Sequence, residues 1–416
     1  MEKKSFCIYG AGIVATSIYK AIKTIYGKRP IFFLVSDAAA DKTDENPVEI
    51  DGIPVLRLSK WQKQMENMKQ VNEFAVGQAE SKPKSEIMTS GKYLIAAPEV
   101  HHRAIVDSLC GLGVCKDDMI LITNELENQI MEEYFCLLHS TQGQSAQGKK
   151  TVNAVLGKTH LDKKYFEMIP WADAINDDNV GAEKAVSIEI FQAKCHVDKP
   201  LNMTLSMPDY VVPIQVGTVF ADKKIATVQD NIGDNISDKN RNYCELTASY
   251  YAWKNSEADY KGLCHYRRIF DITDAQMQEL CLRKEEWDVI LPYPSIHYPN
   301  ISTQHIRYIN DGDWQAMMRA LEETAPEYYE AYREATTAGE QFFYNYNMLI
   351  AKRSVFDDYC DFMFRVLTRA EELTTPKGEK RADRFAGYMG ENLTTIYFLK
   401  NREHLKIIYA GKKWLT

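Results

Sequence analysis

A cluster of basic and aromatic side chains ends an apolar run in the second half of the chain. Gly262 to Cys264 are small or apolar, and the next four residues are His265, Tyr266, Arg267 and Arg268. In an extended segment side chains alternate, so that His265 and Arg267 share one face while Tyr266 and Arg268 share the other. Because ligands of open α/β sheets bind beyond the carboxyl ends of strands, the cluster predicts a site for a diphosphate. An ion pair with a nearby acid is the alternative.

A loop upstream of this cluster is rich in polar side chains. Between Asp230 and Asn240, amide, hydroxyl and carboxylate groups exceed the one or two that helix capping needs. The surplus predicts hydrogen bonds to a uracil or a ribose, and the candidates are Asp234, Asn235, Ser237 and Asn240. We also expect Ser237 to cap a helix that continues to Trp253. Capping without a ligand is the alternative.

Four more candidates surround these segments. Gln215 and Gly217 end a short extended run, where a glycine allows close approach of a ligand. Asn347 lies in a polar stretch just before an apolar one. Glu391 is expected in the first turn of a helix, whose dipole favours the ionised carboxylate. Such a carboxylate can serve as general base beside a sugar acceptor, although a favourable helix-start charge is the simpler interpretation.

The first glycines of the chain form the pattern G-x-G-x-x-A with Gly10, Gly12 and Ala15. The pattern follows a strand-like run and opens a helical one, where a pyrophosphate can meet the helix N-terminus. Asp37 lies at the end of the next predicted strand, where an acid would hold a ribose hydroxyl. These residues predict a nucleotide or NAD site. A tight turn that binds no dinucleotide is the alternative.

The elements that must position these residues predict an α/β fold in both halves. In the first third, strands alternate with helices: strands at 6–9, 31–35, 92–96 and 119–122, helices at 13–26 and 100–112. That alternation predicts a Rossmann-like, doubly wound parallel sheet. In the second half we expect strands at 186–193, 210–217, 262–266 and 287–291 and helices at 313–321, 355–373 and 391–400.

Chain length and one polar stretch set the expected domain boundaries. A chain of 416 residues exceeds the usual size of one hydrophobic core, which favours two domains. The stretch between His139 and Thr151 is rich in Gly, Ser and Gln, as linkers are. We therefore expect a nucleotide-binding domain at 1–150, an ambiguous linker at 151–184 and a second domain at 185–416.

Composition argues against several classes of protein. The formal charge of −8 disfavours general nucleic-acid binding. The nine cysteines are scattered without a C-x-x-C pair, which disfavours zinc ribbons and disulfide scaffolds. The sequence has no apolar run that could span a bilayer and no signal-peptide pattern. We therefore expect a cytoplasmic protein, with peripheral contact at the inner face of the membrane.

The second half resembles a bacterial family of capsular or exopolysaccharide biosynthesis glycosyltransferases, long catalogued as a domain of unknown function. The segments that carry the resemblance are VPIQVG, DNIGDNISDKNRNYCELTASYYAWKN, YKGLCHYRRIF, YNMLI and GENL. The resemblance covers about 185–416 and implies a GT-A type fold that binds a nucleotide-sugar at strand ends. It also implies a UDP-sugar donor, with UDP-galactofuranose or another hexose as candidates, and a lipid-linked or oligosaccharide acceptor.

The resemblance carries over residue by residue. It assigns site roles to Asn235, Ser237, Asn240, Glu245, His265, Tyr266, Arg267, Arg268, Asn347 and Glu391. Relatives usually carry Glu-Arg-Leu where this chain has Glu391-Asn392-Leu393, so the role of that arginine does not transfer. The first domain resembles nucleotide-binding modules attached to sugar-modifying enzymes.

A metal requirement stays open at this stage. Most GT-A enzymes hold Mg²⁺ or Mn²⁺ with an Asp-x-Asp at the end of a middle strand, but here His265 to Arg268 occupy that place. We hypothesise that these cations neutralise the leaving diphosphate instead. The literal Asp311-Gly312-Asp313 is a second candidate for the metal, or a helix cap.

Two rival functions remain. One is an NAD-dependent oxidoreductase or epimerase that acts on nucleotide-sugars and is built on the turn at Gly10. The other is a non-catalytic scaffold that binds sugar nucleotides.

Overall fold

The fold comes from a computed structural model that describes residues 6–37, 48–64, 66, 91–142, 186–201, 206–374 and 383–415. The chain forms two compact units, Met1–Tyr134 with Ser295–Asn300, and Phe135–Pro294 with Ile301–Thr416. The expected linker at 151–184 lies outside the described residues. The expected boundaries 1–150 and 185–416 therefore stay predictions.

Strands and helices alternate in the first part of the chain. Between residues 6 and 142 they are β1 (Phe6–Tyr9), α1 (Ile13–Tyr26), β2 (Phe33–Val35), β3 (Glu49–Ile50), β4 (Ile53–Arg57), β5 (Lys92–Ile95), α2 (His102–Gly111), β6 (Met119–Leu121) and α3 (Asn124–Gln142). Residues 58–64 are also helical.

These strands form a twisted sheet in the order β3-β4-β2-β1-β5-β6. All neighbours are parallel except β3, which pairs antiparallel with β4. The chain moves outward on one side of β1 and then returns to the other side at β5. That reversal is the doubly wound arrangement expected from the alternating pattern, and it places Gly10 beside Ala96 at the switch point.

The second part of the chain is also mixed α/β. Its elements are β7 (Ile188–Lys194), β8 (Val211–Gln215), β9 (Val228–Gln229), α4 (Asn240–Tyr243), α5 (Leu246–Asn255), β10 (Tyr260–His265), β11 (Arg268–Phe270), α6 (Asp274–Leu282), β12 (Val289–Pro292), β13 (Ser295–Ile296), α7 (His305–Tyr308), α8 (Asp311–Thr324), α9 (Pro326–Thr337), β14 (Phe342–Phe343), β15 (Leu349–Lys352), α10 (Arg353–Leu373), α11 (Phe385–Asn401), β16 (Ile407–Ala410) and β17 (Lys412–Trp414).

The large sheet of the second unit has the order β16-β12-β15-β10-β7-β8-β9. The four strands β10, β7, β8 and β9 are parallel, and β15 is antiparallel to both of its neighbours. Beyond its main path, β11 pairs with β10 and β17 pairs with β11. The carboxyl ends of β7, β8 and β10 therefore meet along one edge, where Lys194, Gln215 and His265 lie.

This sheet is buried on both faces. Leu263 and Leu349 belong to the hydrophobic core on one face, where helices α8, α10 and α11 contribute Met317, Phe356 and Leu393. Their chain neighbours Cys264 and Ile350 belong to the core on the other face, with Met277 of α6. Because neither face meets water, these strands read as continuous apolar runs rather than as alternating ones.

The helix that we expected from Ser237 to Trp253 is broken in the structure. A short 3-10 turn leads into α4, and α5 begins only at Leu246. Between them Cys244 has φ of +51°, which a right-handed helix does not tolerate. The expected cap at Ser237 is wrong, because its hydroxyl donates instead to the buried carboxylate of Asp230 at 2.6 Å. A charged acceptor forms the stronger hydrogen bond.

Membrane-spanning helices are not found in the described part of the chain. None of its helices combines the length and the apolar character that crossing a bilayer requires.

Candidate functional site

A tight hairpin forms the basic cluster. Strand β10 ends at His265, residues Tyr266 and Arg267 make the turn, and Arg268 opens β11 directly opposite His265. Directly opposed residues of an antiparallel pair project from the same face. The expected alternation along one extended segment is therefore wrong, because the chain reverses after His265. His265 is grouped with Arg268 instead of with Arg267.

Arg268 is a buried cation. Only 8% of the residue is exposed, and its guanidinium carbon lies 4.4 Å from the ring centre of Tyr346 and 4.2 Å from that of Trp414. Its Nε has no hydrogen-bond partner among the described residues, and the same is true of the buried Nε of Arg267. Unpaired buried donors of this kind are rare in proteins, and a water, an ion or a ligand can satisfy them.

Glu391 is a half-buried carboxylate in the second turn of α11, which begins at Phe385. It accepts a hydrogen bond from the backbone N–H of Tyr346 at 3.1 Å and one from Nε2 of Gln304 at 3.3 Å. Burial raises the pKa of Glu391 to about 7, and the negative charge of Glu245 adds to the effect. The expected first-turn position is wrong, and so is the expected stabilisation of the ionised form, because desolvation dominates.

Glu245 precedes α5 and is held by Asn347. The amide Nδ2 of Asn347 donates to Oε1 of Glu245 at 2.9 Å and to the carbonyl of Gly387 at 3.1 Å. The hydroxyl of Thr394 donates to Oδ1 of Asn347 at 3.3 Å. Asn347 is fully buried, so the structure uses its amide to fix Glu245 relative to α11.

The surroundings of His265 favour its neutral form. Burial lowers its pKa, and Glu245 opposes that effect only in part. Nε2 of His265 lies 2.5 Å from the carbonyl oxygen of Tyr346, to which it donates, and 3.6 Å from Oε1 of Glu245. The imidazole therefore joins the hairpin to the segment that carries Asn347, and its Nδ1 is left as an acceptor.

Arg384 is a site residue that the sequence analysis missed. Its Nε donates to Sγ of Cys244 at 3.2 Å, and one terminal nitrogen lies 3.8 Å from Oε2 of Glu245. Burial raises the pKa of Asp198, and the charges of Lys194, Arg267 and Arg384 lower it. The charges of Arg267 and Arg384 thus both act on the Asp198 carboxylate. The basic residues around 377–384 were the available signal for Arg384.

Strained backbone is concentrated at this site. Among the described residues five non-glycine residues have positive φ, and four of them belong here: Cys244, Tyr346, Asn347 and Arg384. Each such conformation costs on the order of 1–3 kcal/mol and persists only where the surroundings enforce it. Clustering of this kind is typical of functional sites.

The polar loop is organised around Asp230, which is fully buried. Its carboxylate accepts hydrogen bonds from the backbone N–H groups of Gly217 and Thr218, at 2.8 and 3.1 Å. The hydroxyls of Ser237 and Thr247 donate to it at 2.6 and 2.8 Å. Gly217 and Ser237 are therefore engaged within the protein, and Asp230 accounts for much of the polar surplus in the loop.

The other loop candidates are bonded in similar ways. Gln215 is fully buried and bonds to the backbone of Lys223 and Ile225. Asn240 donates to the carbonyl of Cys244 at 2.8 Å. Asn235 forms a local turn through Gly233 and Ser237.

Asp234 is an exposed member of the same loop. Its carboxylate accepts a hydrogen bond from the hydroxyl of Tyr250 at 3.2 Å. Of the loop candidates, it presents the most accessible carboxylate to solvent.

The glycine turn of the first unit has the expected backbone form. Gly10 has φ of +126°, and a Cβ there would collide with the carbonyl oxygen of Ala96. Gly12 caps α1, and Ala15 is fully buried in its first turn. Asp37 is exposed, and its carboxylate accepts from the backbone N–H of Ser59 at 3.0 Å and from the Ser59 hydroxyl at 2.7 Å. Asp37 therefore caps the helical residues 58–64.

The literal Asp-x-Asp lies at a helix start. Asp311 and Asp313 occupy the first turn of α8, where the side chain of Asn310 accepts from the backbone N–H of Asp313. Asp313 is buried against Asn310. Within the described ranges, three metal-ligating side chains do not converge at any point.

The second unit is thus an α/β domain in which His265, Arg268, Glu245 and Glu391 are grouped around the carboxyl end of β10. The profile of a family described as Domain of unknown function (DUF4422) matches residues 195–402, half of the 416-residue chain. The chain belongs to this family. The match confirms that the second half belongs to a family catalogued as a domain of unknown function.

Solved structures offer a weaker likeness. The apo structure of WbbM, titled as a bifunctional glycosyltransferase, is 25% identical over 55% of this chain, with a TM-score of 0.47. This chain covers 45% of the length of that protein, and at that score we draw no conclusion from the likeness. No curated protein matches the sequence.

The raised pKa of Glu391 predicts a pH-dependent difference in stability between the wild type and Glu391→Gln. Its pKa is about 7 in the folded chain against an ordinary 4.5, so the unfolded chain releases the proton first as the pH rises. The free energy of unfolding of the wild type should fall relative to the variant by about 1.4 kcal/mol per pH unit between those values. Denaturant unfolding from about pH 5 to 8 measures this slope.

A matched control is Glu330→Gln, whose carboxylate is 60% exposed on α9. The difference between wild type and this control should stay flat over the same range. A flat difference for Glu391→Gln as well would show that the Glu391 carboxylate is not destabilised by burial.

Proposed function

We propose that the second unit transfers a sugar from a nucleoside-diphosphate sugar to a lipid-linked or oligosaccharide acceptor. The observation that carries the proposal is the buried guanidinium of Arg268, whose Nε has no partner among the described residues, in electrostatic contact with the Glu391 carboxylate, whose pKa is about 7. One group suits a diphosphate, and the other suits proton removal from a hydroxyl. Glycosyl transfer needs both within one site.

Arg267, Arg268 and Arg384 bind the diphosphate in this proposal. The first two lack ion pairs with described carboxylates. Arg384 has one, with Glu245, but it is long at 3.8 Å. A guanidinium can donate two parallel hydrogen bonds to phosphate oxygens. The same bonds strengthen as negative charge develops on the departing diphosphate, which stabilises the transition state. In this account the arginines supply the positive charge that a divalent metal supplies elsewhere.

Glu391 is the proposed general base. A pKa of about 7 means that a substantial fraction is ionised near neutral pH, while the carboxylate keeps enough basicity to accept a proton. Gln304 and the backbone of Tyr346 hold its two oxygens in fixed directions. We propose that His265 and Asn347 hold Glu245 and the Tyr346 segment in place beside it.

The proposed nucleotide end of the site is the loop at Asp234. Asp234 is exposed, and Asn235 and Ser237 follow in the turn that shapes the loop. We propose that Asp234 and Asn235 contact the uridine, and that Ser237, Asn240, Gln215 and Gly217 keep the loop closed around Asp230. UDP-galactofuranose or another UDP-hexose is the proposed donor. Synthesis of bacterial surface polysaccharide at the inner membrane face is the proposed setting.

A second, separate proposal concerns the first unit. We propose a nucleotide at Gly10 and Gly12, because the positive φ of Gly10 and the start of α1, which no side chain caps, suit a pyrophosphate. Asp37 already caps residues 58–64 through Ser59, and its exposed carboxylate keeps acceptor capacity for a ribose hydroxyl. This proposal keeps the NAD-dependent oxidoreductase as the rival function.

Arg267→Ala tests the transfer function. UDP release should be measured with UDP-galactofuranose, UDP-galactopyranose, UDP-glucose and UDP-N-acetylglucosamine as donors. Loss of a donor to the developing phosphate charge should lower kcat/KM by about 10²–10³-fold, with the fold intact by circular dichroism.

The matched control for Arg267→Ala is Arg333→Ala, whose side chain is 62% exposed on α9. It should keep wild-type rates. Wild-type rates in Arg267→Ala as well would refute the assigned role.

Chelation tests the replacement of a metal by cations. Because Arg267, Arg268 and Arg384 supply positive charge in this account, transfer should persist after treatment with EDTA and dialysis. Full loss of activity that Mn²⁺ restores would refute the metal-free hypothesis.

A further inference from the structure

We propose that Tyr308 and Tyr388 form a platform for a saccharide ring of the acceptor beside Glu391. The inference rests on the proposed transfer function and adds the acceptor subsite to it. It is carried by the aromatic pair and by the way that pair is fixed to the carboxylate.

The two tyrosine rings are stacked. Their centres lie 5.3 Å apart and their planes are 20° from parallel. Tyr308 is 38% exposed, and its neighbour Ile306 is 59% exposed. A stacked aromatic pair has fewer accessible rotamers than a single exposed ring, so its binding surface is already ordered before a ligand arrives.

The platform is fixed to the proposed base through two independent connections. Tyr388 and Glu391 are three residues apart on α11, which places them on one face about 4.5 Å apart along the helix axis. Gln304, which precedes α7, donates to Glu391 at 3.3 Å and accepts from Asn392 at 2.9 Å. The helix that carries Tyr308 is therefore anchored at the carboxylate itself.

The chemistry of the pair suits a sugar. A pyranose or furanose ring has an apolar C–H face and hydroxyls along its edge, so it can lie flat on an aromatic ring and keep its edge polar contacts. Because the two rings are stacked, we place the saccharide on the part of the Tyr308 face that Tyr388 leaves uncovered, with an edge hydroxyl on the side of Glu391. The guanidinium carbon of Arg384 lies 5.7 Å from the Tyr388 ring centre, so Tyr388 also adjoins the proposed diphosphate end of the site.

In the proposed transfer step one bond forms and one bond breaks. The acceptor hydroxyl gives its proton to the Glu391 carboxylate, and its oxygen forms a bond to the anomeric carbon of the donor. The bond from that carbon to the phosphate oxygen breaks, and the diphosphate leaves with the electron pair. The arginines hold the charge that the diphosphate gains.

Tyr308→Ala tests the platform, with Tyr308→Phe as the variant that keeps the ring. Octyl glycosides of galactose, glucose and N-acetylglucosamine serve as acceptors, with the same UDP-sugars as donors. In Tyr308→Ala we expect the acceptor KM to rise about 3- to 10-fold, from the loss of one stacking contact. UDP release without acceptor and the donor KM should stay unchanged. Tyr308→Phe should keep the wild-type acceptor KM.

The control is Tyr26→Ala in the first unit, whose residue is 54% exposed, and its acceptor KM should equal that of the wild type. Thermal unfolding of each variant confirms an intact fold. An unchanged acceptor KM in Tyr308→Ala, or an equal change in donor KM, would overturn the platform while leaving the transfer function in place. Absence of UDP release from every donor in the wild type would contradict the transfer function, and the platform with it.

Discussion

The burial of Arg268 is the constraint on which the site depends. Because only 8% of Arg268 is exposed, its guanidinium loses most of its hydration. Contacts with the rings of Tyr346 and Trp414 offset only part of that loss. The guanidinium still requires negative charge nearby, and the carboxylates of Glu391 and Glu245 supply part of it through electrostatic attraction. In the proposed function an anionic ligand supplies the rest directly, at the Nε that the described residues leave without a partner.

Several local features follow from holding these charges together. The turn at Tyr266 and Arg267 brings His265 and Arg268 to one face. Positive φ at Tyr346 and Asn347 turns the backbone N–H of Tyr346 toward Glu391 and its carbonyl toward His265. The strain of these conformations is offset by the cores on both sides of the sheet.

The sequence was sufficient to predict most helices and strands, but not where some of them begin or which residues meet between them. Apolar periodicity and the turn at Gly10 predicted α1 and the first parallel sheet, because those signals are local. The start of α11 was placed six residues too late, because Gly387 and Gly390 lower helix propensity. In the structure Gly390 lets α11 approach α5, because a Cβ there would lie 2.7 Å from Leu246. Arg384 was missed because its partners Cys244 and Glu245 lie about 140 residues earlier in the chain.

Calorimetric measurement of the UDP affinity of the wild type and of Arg268→Ala tests the central claim most directly. The account predicts that UDP binds the wild type and that Arg268→Ala weakens binding by about 10- to 150-fold, the value of one charge-assisted hydrogen bond. NAD should not compete with UDP for this site. Equal UDP affinity in the two proteins, or displacement of UDP by NAD, would contradict the claim that the buried arginine holds a nucleoside diphosphate.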